Sequence, residues 1–171
     1  MSATHTLDAV AMLKADHRKV AGLFANFESA KNPEKKLALA QSICLELKIH
    51  TILEEEIFYP ACDGKIEAGL LTEAYVEHDA AKVLISQIEA SDPESAFYDA
   101  KVKVLSEEIE HHVKEEEKRI EGIFSQAREA GLNMDALGEQ MATRKTELMA
   151  KAKAGEDLPT KMSTMPDQVA P

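Results

Sequence analysis

The chain has 171 residues, is 44% hydrophobic and 30% charged, and carries a formal net charge of -11. That length allows one domain with a real core. So acidic a chain, without a Lys/Arg stripe, is poorly suited to nucleic acid or an anionic membrane surface.

There is no Trp, few aromatics, and little Gly or Pro in long stretches, which favours helices over a sandwich or barrel. The start, "MSATHTLDAV", has neither a basic n-region nor an apolar h-region. No apolar run approaches the about 20 residues of a membrane span. The expected location is the cytoplasm, with Cys44 and Cys62, which form no CxxC motif, as two reduced thiols.

Breakers divide the chain into five helical segments. The first runs from Thr6 to Ala30, with Thr6 as its N-cap. The second opens with Asn32 as cap and Pro33 at the first helical position, and stops near Pro60. "ACDGK" is a turn, and a third helix covers Ile66 to Ala90. "SDP" precedes a fourth, from about Pro93 to Ala130, which Gly131 ends. A shorter fifth begins at Asn133. The expected fold is all-α: an up-down-up-down four-helix bundle, with the fifth helix across one end or side. Residues 1–155 form this unit, and 156–171, with three of the six prolines and no periodic apolar face, are read as a flexible, disordered tail.

A helix turns about 100° per residue, so each side chain can be placed against its helix's apolar stripe. His17 lies among Leu13, Val20, Phe24 and Phe27. His50 and Glu54 lie near the middle of the stripe of Leu39, Ile43, Leu47 and Ile57. Leu71, Ala74, Ala81 and Ile85 bracket His78. His112 and Glu116 fall within the stripe of Val102, Leu105, Ile109, Ile120 and Ile123. Each "EEE" run therefore points one glutamate inward, while Glu55, Glu56, Glu115 and Glu117 read as surface charges.

A lone inward histidine is usually a satisfied core residue, and an unpaired inward carboxylate is costly to desolvate. Here six such groups share one core with no inward Arg. A multivalent cation resolves the conflict, because imidazole and carboxylate coordinate it together. His and Glu at i, i+4 sit one turn apart on one face. Two such pairs give a site for two metals with both carboxylates bridging, and His17 and His78 complete the shell. Mixed N/O ligation with open positions suits Fe, Mn or Zn.

"ADHRK" with His17, "HTILEEEIFYP" with His50 and Glu54, "EHD" with His78 and "HHVKEEE" with His112 and Glu116 resemble the hemerythrin-like, HHE cation-binding family over residues 6–130. The resemblance implies a bundle holding two iron ions with bridging carboxylates and an oxo or hydroxo bridge, Mn or Zn being the lesser expectation. It implies terminal ligands at His17, His50, His78 and His112 and bridges at Glu54 and Glu116. It also implies O2 or a small oxidant as the ligand. Oxygen carriers of the family have a second histidine four residues after the third-helix ligand. Here that position is Lys82, expected to be solvated, and Glu116 follows His112 by four residues rather than five. These departures point away from simple oxygen carriage and toward chemistry with O2, peroxide or NO, redox or oxygen sensing, or iron handling and ferroxidase activity. An interaction module is the further alternative, and the oligomeric state is left open. Phe24, Phe58, Tyr59 and Phe124 read as core aromatics able to wall a pocket, Tyr75 as a donor one turn before His78, and His5 and His111 as surface residues.

Overall fold

The computed structural model describes residues 8–158 and 160–165, which are helical with no strand. The first helix, α1 (Ala9–Ser29), is capped by Asp8, whose carboxylate accepts the Ala11 N–H at 2.8 Å and is clasped by Arg128. Thr6, the cap read from the sequence, lies outside the described residues. In α2 (Pro33–Leu53), Asn32 accepts the Lys35 N–H at 3.0 Å, as its sequence predicts.

The helix does not stop at Pro60. It widens into a π turn, Glu54–Phe58, and continues as α3 (Tyr59–Cys62). Proline has no N–H and its ring crowds the carbonyl four residues back. In the π turn the Tyr59 N–H instead reaches Glu54 O, five residues back.

After α4 (Ala68–Glu89) comes α5 (Tyr98–Glu117), later in its start and shorter than the Pro93–Ala130 helix expected. Lys118 leaves the helical region (φ -49°, ψ 130°), and the chain doubles back into α6 (Ile123–Glu129). A Cβ on Gly122 would stand 2.5 Å from the Glu116 carbonyl oxygen, so only glycine fits this return. Ile120, placed on the buried stripe by helical spacing, is therefore 76% exposed, while Ile123 is buried from α6. Gly131 (φ 74°) ends α6, with Leu132 N–H bonded to Ala127 O. The last helix, α7 (Met134–Lys153), is as long as the bundle helices rather than short.

Helices α1, α2, α4 and α5 form the bundle in that cyclic order, and α7 lies against α1 and α2. The apolar core is in two parts. One holds Leu13, Leu53, Phe58, Phe124, Met141 and Leu148; the other holds Val20, Ile43, Leu47, Ile85 and Leu105. Helices α1, α2 and α4 pass from one part to the other near their inward histidine; α5 reaches His112 from the second part, and α6 supplies Ile123, Phe124 and Ala127 to the first. A polar layer of His17, His50, Glu54, His78, His112 and Glu116, all 7% exposed or less, divides them.

Leu158 is buried, and residues 160–165 lie against α2 and α4, so this part of the expected flexible tail is docked. Residues 159 and 166–171 lie outside the described residues. Among the described residues no helix is long and apolar enough to cross a membrane.

Candidate metal centre

The four imidazoles of the polar layer form two pairs. His17 Nε2 and His50 Nε2 are 3.1 Å apart, and His78 Nε2 and His112 Nε2 are 3.2 Å apart. Two nitrogens each about 2.1 Å from a shared ion sit roughly 3 to 3.4 Å apart, so each pair is spaced to hold one metal.

Glu54 stands between the pairs, fully buried. Its Oε1 is 3.3 Å from His50 Nε2 and its Oε2 is 3.2 Å from His78 Nε2, the disposition a bridging carboxylate needs. Glu116 Oε2 also faces both, 3.3 Å from His17 Nε2 and 3.4 Å from His112 Nε2. The donor atoms fall into two groups that share Glu54: His17, His50, Glu54 and Glu116, and Glu54, His78 and His112. Glu54 Oε1 and Glu116 Oε2 are buried without a hydrogen-bond partner. Orphaned buried carboxylate oxygens are costly, and a cation between the pairs would satisfy both. The donor set fits two hard or borderline divalent ions.

Tyr59 was read from the sequence as a core aromatic, and the structure puts its hydroxyl in this layer. It donates to Glu116 Oε1 at 2.7 Å and lies 3.2 Å from Glu54 Oε2 and 3.3 Å from His78 Nε2. In a regular α-helix Tyr59 would be about 140° around the axis from Glu54. The π turn brings the two onto one face. The signal available in the sequence was the proline directly after the tyrosine, a helix interruption beside the ligand motif.

The outer nitrogens of the imidazoles show a second pattern. His17 Nδ1 lies 2.7 Å from Glu117, His78 Nδ1 3.0 Å from Glu55 and His112 Nδ1 2.6 Å from Glu77. His50 Nδ1 faces Asp16 at the longer distance of 3.6 Å. Each element thus offers an acid to the next helix's histidine: α1 to α2, the π turn after α2 to α4, α4 to α5 and α5 back to α1. Such carboxylates fix the ring orientation and leave Nε2 free to ligate. Glu55 and Glu117 are therefore not the surface charges expected. Of each triplet, one glutamate enters the layer, the next holds a neighbouring histidine, and one stays outside: Glu56 pairs with Arg144, and Glu115 with Lys118. Lys145 of α7 binds Asp16, so the seventh helix braces the His50 side.

The charges are strongly coupled. Burial pushes the His50 imidazole down, but Glu54, Asp16 and Glu116 outweigh it and raise it to about 10. His78 rises to about 9 against the same burial, through Glu54 and Glu55. Burial pushes the Glu54 carboxyl up, yet His50 and His78 hold it well below the usual range. Burial, with Glu116 and Glu54, keeps the Tyr59 phenol far above its ordinary value, hence protonated. Without metal, protons on imidazole neutralise the buried carboxylates; a metal ion takes their place.

Phe124 stacks on His17 (5.7 Å between centroids) and Phe58 packs edge-on against Phe124 (5.6 Å), closing one side of the layer. On another side a groove of about 640 Å³ between α1 and α5 reaches His17 past Ala21, Phe24, Ile109 and Val113. Tyr75 packs edge-on against the Tyr59 ring at 5.3 Å rather than donating to His78. Lys82, expected in solvent, is 6% exposed and binds Glu55 and Asp79. His111 sits at the surface beside Glu77, and His5 lies outside the described residues. Cys44 and Cys62 are unbridged, and burial pushes both thiols up to about 12.

A protein from Nostoc sp. (strain PCC 7120 / SAG 25.82 / UTEX 2576) named DNA nickase is 29% identical over 109 residues, 64% of this chain. The match spans 31% of that protein's length. The crystal structure of a hemerythrin HHE cation binding domain-containing protein from Mycobacterium kansasii superposes with a TM-score of 0.71 at 24% identity, over 86% of this chain and 91% of that one, and shares its fold. The model of the hemerythrin HHE cation binding domain matches residues 8–123, and the chain belongs to that family of metal-cation-binding helical bundles.

Proposed function

We propose that the protein holds two iron ions in the polar layer and uses them to bind or react with O2, peroxide or NO, in oxidant handling or in oxygen or redox sensing. The observation that carries this reading is Glu54, whose two oxygens face different imidazole pairs at 3.3 and 3.2 Å. In this reading His17 and His50 would hold one ion and His78 and His112 the other, with Glu54 and Glu116 as the carboxylates facing both. Bound iron supplies redox-active positions at which a small oxidant can be held and reduced.

The chain's own residues shape what reaches that centre. Phe58 and Phe124 exclude bulk water on one side. The α1–α5 groove is apolar where it meets His17 and carries Glu28, Asp99, Glu107 and Glu110 with only two lysines, Lys36 paired to Asp99 and Lys103 to Glu107, so its charged lining is net acidic. That suits a small neutral ligand better than an anion. The Tyr59 hydroxyl, held protonated, donates a hydrogen bond to Glu116 at 2.7 Å and so fixes that carboxylate's orientation. The activity named for the Nostoc protein is not carried over, because the match spans 31% of it and a net charge of -11 disfavours a phosphate backbone.

The test is optical spectroscopy of protein loaded anaerobically with ferrous iron, before and after O2, peroxide or NO. New near-UV bands that revert on deoxygenation mean reversible O2 binding. An irreversible change means oxidant turnover or sensing. A spectrum that none of the three alters contradicts the proposal.

A further inference from the structure

The C-terminal segment is wired to the polar layer by a continuous chain of hydrogen bonds. Asp79, fully buried on α4, accepts the backbone N–H of Ser163 at 2.9 Å, that of Thr164 at 2.6 Å, and the Thr164 hydroxyl at 2.7 Å. Lys82, one turn on, donates to the Lys161 carbonyl at 2.8 Å, to Asp79 at 3.2 Å and to both oxygens of Glu55 at 2.8 and 2.9 Å. The Ser163 hydroxyl also donates to Glu55, at 3.0 Å. Glu55 in turn holds His78 Nδ1. Leu158, buried in the core, fixes where the segment starts. Residues Thr160–Ser163 roof a cavity of about 390 Å³ bounded below by Thr51, Glu55, Tyr75 and Lys82, on the outer side of His78.

An exposed segment seldom offers two consecutive amides to one buried carboxylate. Among the described residues, every hydrogen bond that the buried Asp79 carboxylate accepts from another residue comes from this segment or from Lys82. Without the segment, Lys82 alone would face both Asp79 and Glu55. Drawn toward Asp79, Lys82 would no longer fix Glu55 against the imidazole.

We propose that residues Lys161–Thr164 are a strap, docked on Asp79 and Lys82, that sets through the Lys82–Glu55–His78 relay how readily the metal on the His78 side is released. This rests on the metal-binding reading above. Lys82 is a positioning residue here. It stands one turn after His78 and acts on that imidazole through Glu55, and the strap covers the face that would otherwise open to solvent.

The experiment compares the full chain with a chain ending at Leu158, with Ser163→Pro, which deletes the anchoring N–H and the hydroxyl bond to Glu55 at an exposed position, and with Lys82→Met. Each is loaded anaerobically with ferrous iron, and release to a chromophoric chelator is timed. Far-UV circular dichroism checks that each folds. In the full chain the Ser163 and Thr164 amides are expected to be slow in hydrogen exchange, and in Ser163→Pro the Thr164 amide becomes fast. Release is expected to be about 10-fold faster in the truncated chain and in Lys82→Met. Lys82→Arg, which can still donate to Glu55, is expected to return the rate toward that of the full chain. Iron taken up normally and released at the same rate with and without the strap overturns this proposal alone, as do unprotected amides in the full chain. A chain that takes up no iron overturns the metal reading and this proposal with it.

Discussion

The three consecutive glutamates Glu54, Glu55 and Glu56 differ in what they touch, so they should differ in what they do. Glu54→Ala removes the carboxylate shared by both imidazole pairs and is expected to abolish binding of at least one metal ion. Glu55→Gln keeps the size but loses the charge against His78 and Lys82; metal affinity is expected to fall about 10- to 100-fold. Glu56→Gln, paired with Arg144 at the surface, should leave affinity unchanged. Competition with a metal-sensitive dye orders the three, and equal losses at Glu55 and Glu56 would contradict the assignment. The convergence of the six inward groups was legible from helical spacing, because each shares the stripe of its helix's apolar residues. Glu55, Glu117, Asp16 and Glu77 were not legible. Each is next in sequence to an inward residue, about 100° around the axis. On an isolated helix that direction is solvent; in a four-helix ring it is the flank of the next helix, and only the packing reveals it.

At the scale of elements, the caps and glycine stops were written locally. Asn32 and Pro33 start α2 and Gly131 ends α6 because cap geometry depends on a few adjacent residues. The π turn and the break at Lys118 were not. Nothing in "KEEEKRIEGIF" is a strong breaker before Gly122, and the chain leaves the helix there so that α6 can return over the end of α5 and set Phe124 on His17. Gly122→Ala forces a methyl to within 2.5 Å of the Glu116 carbonyl. It is expected to destabilise the protein by about 1–3 kcal/mol and to weaken metal binding together, since the same shift moves Glu116. Thermal melts and metal titration of one preparation check this; a stable variant with undiminished affinity would contradict the tight return.

For the whole molecule, a polar layer across the core makes stability, protonation and metal content one linked equilibrium. Without metal, His50 and His78 are raised from 6.5 to about 10 and 9. A raised histidine stabilises fully below its unfolded value and ceases to as pH climbs through its folded one. The metal-free protein is therefore expected to lose thermal stability between pH 6.5 and 10, and the loaded protein to be spared that loss. Loading at pH 7 should release about two protons per chain, read by calorimetry in buffers of different ionisation enthalpy. Conversely, acid should strip the metal, because imidazole must be neutral to ligate. The most direct test of the account is the number of ions held per chain, by native mass spectrometry after anaerobic loading with ferrous iron. The shared position of Glu54 predicts two ions per chain in the wild type; a single ion, or none, would contradict the bridged two-metal centre.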